Sequence, residues 1–252
     1  MYFALSRGGG SSHAPVILIH GLGSSHLVWP AVLRRMESQT VYTLDLPGHG
    51  KSGGTGLQSV AAYAKGVRKF LDAASIYSAI LIGHSLGAAI ALETARHDPD
   101  RVSGLGLLSA GSLFHCSKQS LESIKNPAML TDALAWLTAN LFASSADKKL
   151  QSRVVDALRQ ARPAVLAADL RACSRYEFIP LPEKCSMPVL AIHGSEDRIV
   201  LRQDAQHLAH SIPGAKLVNI PSAGHMVMLE APERVGNLIT RFVRQVNARE
   251  KG

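Results

Sequence analysis

Short, wholly apolar runs alternate along this chain with longer segments that carry an apolar stripe at helical spacing. Val16-Ile17-Leu18-Ile19, Ala79-Ile80-Leu81-Ile82 and Val189-Leu190-Ala191-Ile192 contain no polar residue. A strand of that kind has to be covered on both faces, the condition of a parallel sheet between layers of helix. Strands are expected near 2–7, 16–20, 40–45, 79–83, 102–109, 188–193 and 216–220, and helices near 27–37, 58–75, 85–97, 201–211 and 230–247. Strand–helix alternation predicts an α/β fold with a mostly parallel central sheet and helices on both of its faces. Trp29 and Leu27 are expected to anchor the first helix to the core.

The alternation breaks between Ser112 and about Pro182, where helix follows helix. Met129 to Phe142 reads as one helix, and Asp147 starts another, with a stripe of Leu150, Val154, Val155 and Leu158. Pro163 ends that helix or starts the next. The predicted organisation is a core of residues 1–111 and 183–252 interrupted by a helical cap, residues 112–182. Leu113, Phe114, Trp136, Leu137 and Phe142 are the candidate pocket residues of that cap, the alternative for each being that it only holds the cap together. A chain of 252 residues suits one such domain with an insertion.

Gly83-His84-Ser85-Leu86-Gly87 fits the G-x-S-x-G pattern. Its context is specific: an apolar strand precedes it, and the small-residue run Ala88-Ala89-Ile90-Ala91 opens a helix after it. A serine on that sharp turn projects its oxygen beyond the sheet edge, with glycines flanking it for lack of room. A serine hydroxyl at neutral pH needs a base, and the base an orienting acid. Glu196 and Asp197 stand just past the strand that ends near His193, and His225 stands in the turn after the strand 216–220. His84 adjoins Ser85, but neighbours on a tight turn point apart, so His225 is the expected base. A developing oxyanion would need two donors: the N–H of Leu86, the residue after Ser85, and the N–H of Leu22 in the loop Gly21-Leu22-Gly23. The Leu22 side chain would then line the acyl pocket.

Together His20-Gly21-Leu22-Gly23, Asp45-Leu46-Pro47-Gly48-His49-Gly50-Lys51-Ser52, Gly83-His84-Ser85-Leu86-Gly87, His193-Gly194-Ser195-Glu196-Asp197 and Gly224-His225 resemble the α/β-hydrolase superfamily. The resemblance is closest to small capped carboxylesterases, whose relatives include pimeloyl-acyl carrier protein methyl ester esterases, enol-lactonases and carbon–carbon bond hydrolases. It implies an α/β-hydrolase fold, Asp197 rather than Glu196 as the acid, and ester hydrolysis through Ser85, His225 and Asp197. Thioesters, lactones, carrier-protein esters and carbon–carbon bonds stay open as substrates, as does a binding protein of the same fold. Dehalogenases and epoxide hydrolases of the superfamily carry aspartate where this chain has Ser85. No metal and no organic cofactor are implied.

Composition changes little. Hydrophobic residues make up 46% and charged residues 18%, the balance of a globular protein. The net charge of +8 is spread along the chain, which argues against a nucleic-acid-binding footprint. Lys148, Lys149, Arg153, Arg159, Arg162, Arg171 and Arg175 nevertheless give the middle segment a basic character. That is either a solvated helical face or a surface for an acidic acyl carrier protein. Met1 to Arg7 reads as a strand rather than a signal peptide, no apolar run approaches a membrane span, and Cys116, Cys173 and Cys185 lack regular spacing. A cytoplasmic protein with reduced thiols, off the membrane, is the expectation. Gly50-Lys51-Ser52 is no phosphate loop, because Asp45 stands where that motif needs glycine. His207 and His210 share a helix face without a third metal ligand.

Overall fold

The computed structural model describes residues 1–8, 13–115, 122, 126, 130–182 and 185–249. Its sheet has seven strands in the order β1-β3-β2-β4-β5-β6-β7. These are β1 (Tyr2–Arg7), β2 (Val16–Ile19), β3 (Thr40–Asp45), β4 (Ala79–His84), β5 (Val102–Leu108), β6 (Val189–Gly194) and β7 (Lys216–Ile220). The edge strand β1 runs antiparallel to β3, and the other pairings are parallel. The apolar strands β2, β4 and β6 are buried along their whole length, as their sequences require.

Period-2 alternation divides the core between the two faces of the sheet. Ile17, Ile19, Leu81 and Leu105 pack with α2 (Val60–Ala73), α3 (Leu86–His97) and α7 (Arg202–His210). Val16, Leu18, Ile80 and Ile82 pack on the opposite side with α1 (Ala31–Arg34), α8 (Val227–Glu230) and α9 (Pro232–Arg249). The helix expected over 27–37 is instead a 3-10 turn, His26–Val28, followed by α1. Trp29 lies between them with extended backbone because Pro30 follows it. Pro232 opens α9, which matches the helix expected over 230–247, while the short α8 before it was not expected. Trp29 is buried in the core as expected, but Leu27 is 69% exposed and anchors nothing.

Between β5 and β6 the described residues form α4 (Leu130–Asn140), α5 (Lys148–Arg159) and α6 (Pro163–Ser174), and no strand. The helix expected to continue to Phe142 ends at Asn140. Pro163 occupies the first turn of α6, where its missing N–H costs nothing. Cys116, Met129 and the expected boundary at 183 lie outside the described residues. Among the described residues no helix is long and apolar enough to cross a membrane.

Parallel pairing brings the C-terminal ends of β2, β4, β5, β6 and β7 to one edge of the sheet. Gly21-Leu22-Gly23, Ser85, Asp197 and His225 all follow strands at that edge, which is where open α/β sheets place their ligands.

Candidate active site

Ser85 is the one residue between the end of β4 and the start of α3. Its backbone has φ 54° and ψ −119°, a conformation that non-glycine residues adopt only under constraint. Main-chain hydrogen bonds impose it. Ser85 N–H donates to Leu108 O at 2.9 Å, and the Ala88 and Ala89 N–H groups donate to Ser85 O at 2.8 and 3.2 Å. The flanking glycines have no alternative: a Cβ on Gly83 would stand 2.2 Å from Gly87 O, and one on Gly87 would stand 2.1 Å from Ile19 O. Strand and helix therefore meet as closely as backbone allows.

His225 is buried in the loop after β7. Its Nδ1–H faces the Asp197 carboxylate, 2.9 Å from Oδ2 and 3.1 Å from Oδ1. Asp197 Oδ1 also accepts from the Ile199 and Val200 N–H groups at 2.9 and 3.0 Å. Burial pushes this carboxyl up, but the His225 ring beside it and the two amides outweigh burial and hold it below its usual range. Glu196 is turned elsewhere: its Oε2 accepts from both the N–H and the hydroxyl of Ser144 at 3.0 Å.

The backbone of His225 is fixed by partners that the sequence reading did not assign. Its carbonyl accepts from His84 Nε2–H at 2.9 Å and from the Ser109 hydroxyl at 2.7 Å. Glu230 Oε2 accepts from Gly224 N–H at 3.0 Å and from Ala143 N–H at 2.8 Å, tying the His225 loop to the segment after α4. Main-chain atoms are the targets in each case, and no residue pattern advertises those.

Ser85 and His225 line one cavity of about 600 Å³. Leu22, Phe114, Trp136 and Leu137 line it too, whereas Leu113 and Phe142 do not. Leu113 turns outward, 47% exposed, and Phe142 is buried in the core cluster that holds Met226 and Val227. Leu141 takes the place expected for Phe142 in the wall, and Val154 and Leu158 of the α5 stripe face the same space. That stripe was the available signal for this wall: one apolar helical face can cover the core and line a cavity.

Two buried histidines bracket the site. His20 Nδ1–H donates to Gly21 O at 2.8 Å, and its Nε2 accepts from Leu46 N–H at 3.0 Å. Burial, with His49 beside it, lowers the His20 pKa to about 3, and burial, with His225 beside it, does the same for His84. Burial also lowers that of His193. These rings stay neutral in the folded protein while unfolded chains take up protons near pH 6.5. Stability is therefore expected to fall as pH drops from about 6.5 towards 4, by about 1.4 kcal/mol per pH unit for each of His20 and His84, with His193 acting in the same direction. Asp197, with its lowered pKa, adds to the loss only below the carboxylate range. His49, held above its usual range, acts in the opposite sense above pH 6.5. A Tm that is level between pH 6.5 and 4.5 would contradict this account. Among the described residues no group of three His, Cys, Asp or Glu side chains is arranged to hold a metal ion.

Comparison with known proteins follows the same lines. The chain is 32% identical over 256 residues to the dihydrolipoyllysine-residue acetyltransferase component of the acetoin cleaving system of Pseudomonas putida, a match covering 94% of this chain and 65% of that protein. The chain thus spans just under two thirds of that relative's length. Over 241 residues it is 28% identical to the pimeloyl-[acyl-carrier protein] methyl ester esterase of Neisseria meningitidis, covering 90% of this chain and 92% of the relative. The enol-lactonase of Burkholderia xenovorans LB400 superposes with a TM-score of 0.85 at 18% identity, over 96% of each chain. An esterase from Thermogutta terrifontis gives a TM-score of 0.82 at 24% identity, over 97% of this chain and 94% of that one. At those identities the structural likeness is one of fold. The residue pattern that defines the alpha/beta hydrolase family matches residues 16–238, from β2 into α9, and so takes in the Ser85 turn and the loops opposite it: the chain belongs to that family.

Proposed function

We propose that the protein is a serine hydrolase of carboxylic esters that works through an acyl-enzyme. The observation that carries this reading is the buried Asp197–His225 pair opening, with Ser85, into a single cavity with largely apolar walls. His225 takes the hydroxyl proton of Ser85 as the oxygen attacks the ester carbonyl. Asp197 keeps the His225 proton on Nδ1, leaving Nε2 free to accept, and stabilises the imidazolium that forms. The N–H groups of Leu86 and Leu22 bind the oxyanion. Leu86 opens α3, so its N–H has no acceptor within the helix. His225 then gives its proton to the leaving alcohol, and later draws one from water so that hydroxide attacks the acyl carbon and releases the acid. In this reading residues 112–182 are a cap that supplies the far wall of the pocket.

One feature favours a carrier-protein ester as the natural substrate. Arg153 and Arg162 line the cavity, and Lys148, Lys149 and Arg159 are exposed on or beside the same segment. Arg162 is committed to Gly48 O and Gly54 O, which leaves Arg153 as the guanidinium available at the mouth. An acidic carrier would be drawn to that rim, and more strongly at low salt.

A panel of p-nitrophenyl esters of rising acyl length, with a carrier-protein methyl ester assayed at low and high salt, tests both statements. Turnover of short to medium esters is expected. Binding of esters without turnover would mean a non-catalytic protein of this fold. A salt-independent kcat/KM for the carrier ester would remove the docking role from the basic segment.

A further inference from the structure

Among the described residues three acidic side chains are buried: Asp45, Asp169 and Asp197. Asp197 serves His225. Asp45 holds its own neighbourhood, accepting from His26 and from Lys51 N–H. Asp169 has a longer reach. It lies on α6, in the segment between β5 and β6, and all of its partners belong to the core.

Asp169 Oδ2 accepts from Gly23 N–H at 2.9 Å and from His49 Nε2–H at 2.7 Å, and Oδ1 accepts from the Tyr63 hydroxyl. Burial opposes protonation of His49, but the Asp169 carboxylate more than offsets it, so the ring is held above its usual range. A buried carboxylate that served only to pin the cap would be replaceable by an apolar side chain of similar size. This one is aimed at a particular main-chain donor.

Gly23 follows Leu22, and its backbone is left-handed, with φ 62°. A Cβ there would stand 2.5 Å from Leu166 Cδ2 and 2.9 Å from Leu158 Cδ2. The α5 and α6 helices thus press on Gly23 with two leucines and hold its N–H with Asp169. One peptide earlier, the Gly21 carbonyl accepts from His20 Nδ1–H at 2.8 Å and from Ser24 N–H at 3.3 Å. A trans peptide directs its C=O and N–H in opposite senses, so whatever holds Gly21 O also aims the N–H of Leu22. Both peptides flanking Leu22 are therefore locked, one by His20 from the core and the other by Asp169.

We infer that Asp169 is a positioning residue for the hydrolytic reaction, fixing the Leu22–Gly23 peptide so that the Leu22 N–H meets the developing oxyanion. The inference rests on the serine-hydrolase reading above. It makes the helical insertion part of the catalytic apparatus as well as a wall, because the second of the two peptides that flank Leu22 is held only while α6 is seated.

The test compares Asp169→Leu, which offers no acceptor, with Asp169→Asn, whose amide oxygen can still take the Gly23 N–H. Removal of one oxyanion donor costs about 10²–10³ in kcat, so a donor that is misaimed rather than lost should cost about 10–100-fold. Asp169→Leu is expected to lose that factor in kcat with KM within about threefold of wild type, and to lose the same factor in affinity for a trifluoromethyl ketone, whose adduct presents an oxyanion. Asp169→Asn should recover most of both. A folded Asp169→Leu protein with wild-type kcat would overturn the inference, as would a kcat loss with unchanged ketone affinity. Should Asp169→Leu not fold, hydrogen exchange in the wild-type protein decides: the Gly23 amide must be protected, and exchange at the rate of an open loop would refute the clasp. Wild-type turnover measured alongside separates the two failures, since an inactive wild type sinks the serine-hydrolase reading whereas an active Asp169→Leu protein sinks only this one.

Discussion

Replacing Ser85 with alanine is expected to abolish ester turnover, by at least about 10³-fold in kcat, while leaving the fold intact. Without the hydroxyl no acyl-enzyme forms, and only binding and the oxyanion donors remain, worth about 10³–10⁴ over water. The fold should survive because the turn is held by main-chain bonds to Leu108, Ala88 and Ala89, and alanine leaves those in place. Gly83 and Gly87, where side chains would strike backbone, are also untouched. The check is steady-state turnover of a p-nitrophenyl ester beside a thermal melt. Activity retained in a normally melting Ser85→Ala protein would place the nucleophile elsewhere and remove the mechanism.

Asp197→Asn should cost up to about 10⁴ in kcat. The geometry gives the reason. The Ile199 and Val200 N–H groups both point at Oδ1 and will keep an oxygen there. The amide nitrogen of the new asparagine is then directed at His225 Nδ1, where the wild type presents Oδ2. An N–H donor in that place makes Nδ1 an acceptor and moves the ring proton to Nε2, the atom that has to receive the Ser85 proton. Glu196→Gln should change kcat by less than about threefold, because the Glu196 side chain bonds to Ser144 and to nothing at His225. A larger loss for Glu196→Gln than for Asp197→Asn would reverse the assignment.

Strand positions were legible because a strand covered on both faces has to be largely apolar, and β2, β4 and β6 are, with His84 and His193 the only polar side chains, both near strand ends. Their boundaries fell within a residue of those expected. Where the reading faltered, proline explains it: Pro30 forces Trp29 out of helical geometry, so the helix expected over 27–37 became a 3-10 turn and the short α1. The pocket was harder to read. Leu113, Phe114 and Phe142 are alike in composition terms, yet only Phe114 faces the cavity. Which way a side chain turns in an irregular segment depends on packing partners far away in the chain.

By itself, then, the order of residues determined the sheet, the strained turn at Ser85 and the strand-end loops that carry Asp197 and His225. Those features follow from local rules: apolar runs, glycines where backbones collide, polar residues after strands. Only the tertiary structure decided how the loops are held. It set Ser109, His84 and Glu230 on the main chain around His225, and it brought Asp169 from α6 to the Gly23 amide, 146 positions away in sequence. A hydrogen bond to a main-chain atom carries no residue signature at its target, and its donor or acceptor can come from anywhere in the chain. Such contacts become visible only when the fold has closed and buried main-chain groups have been brought to their partners.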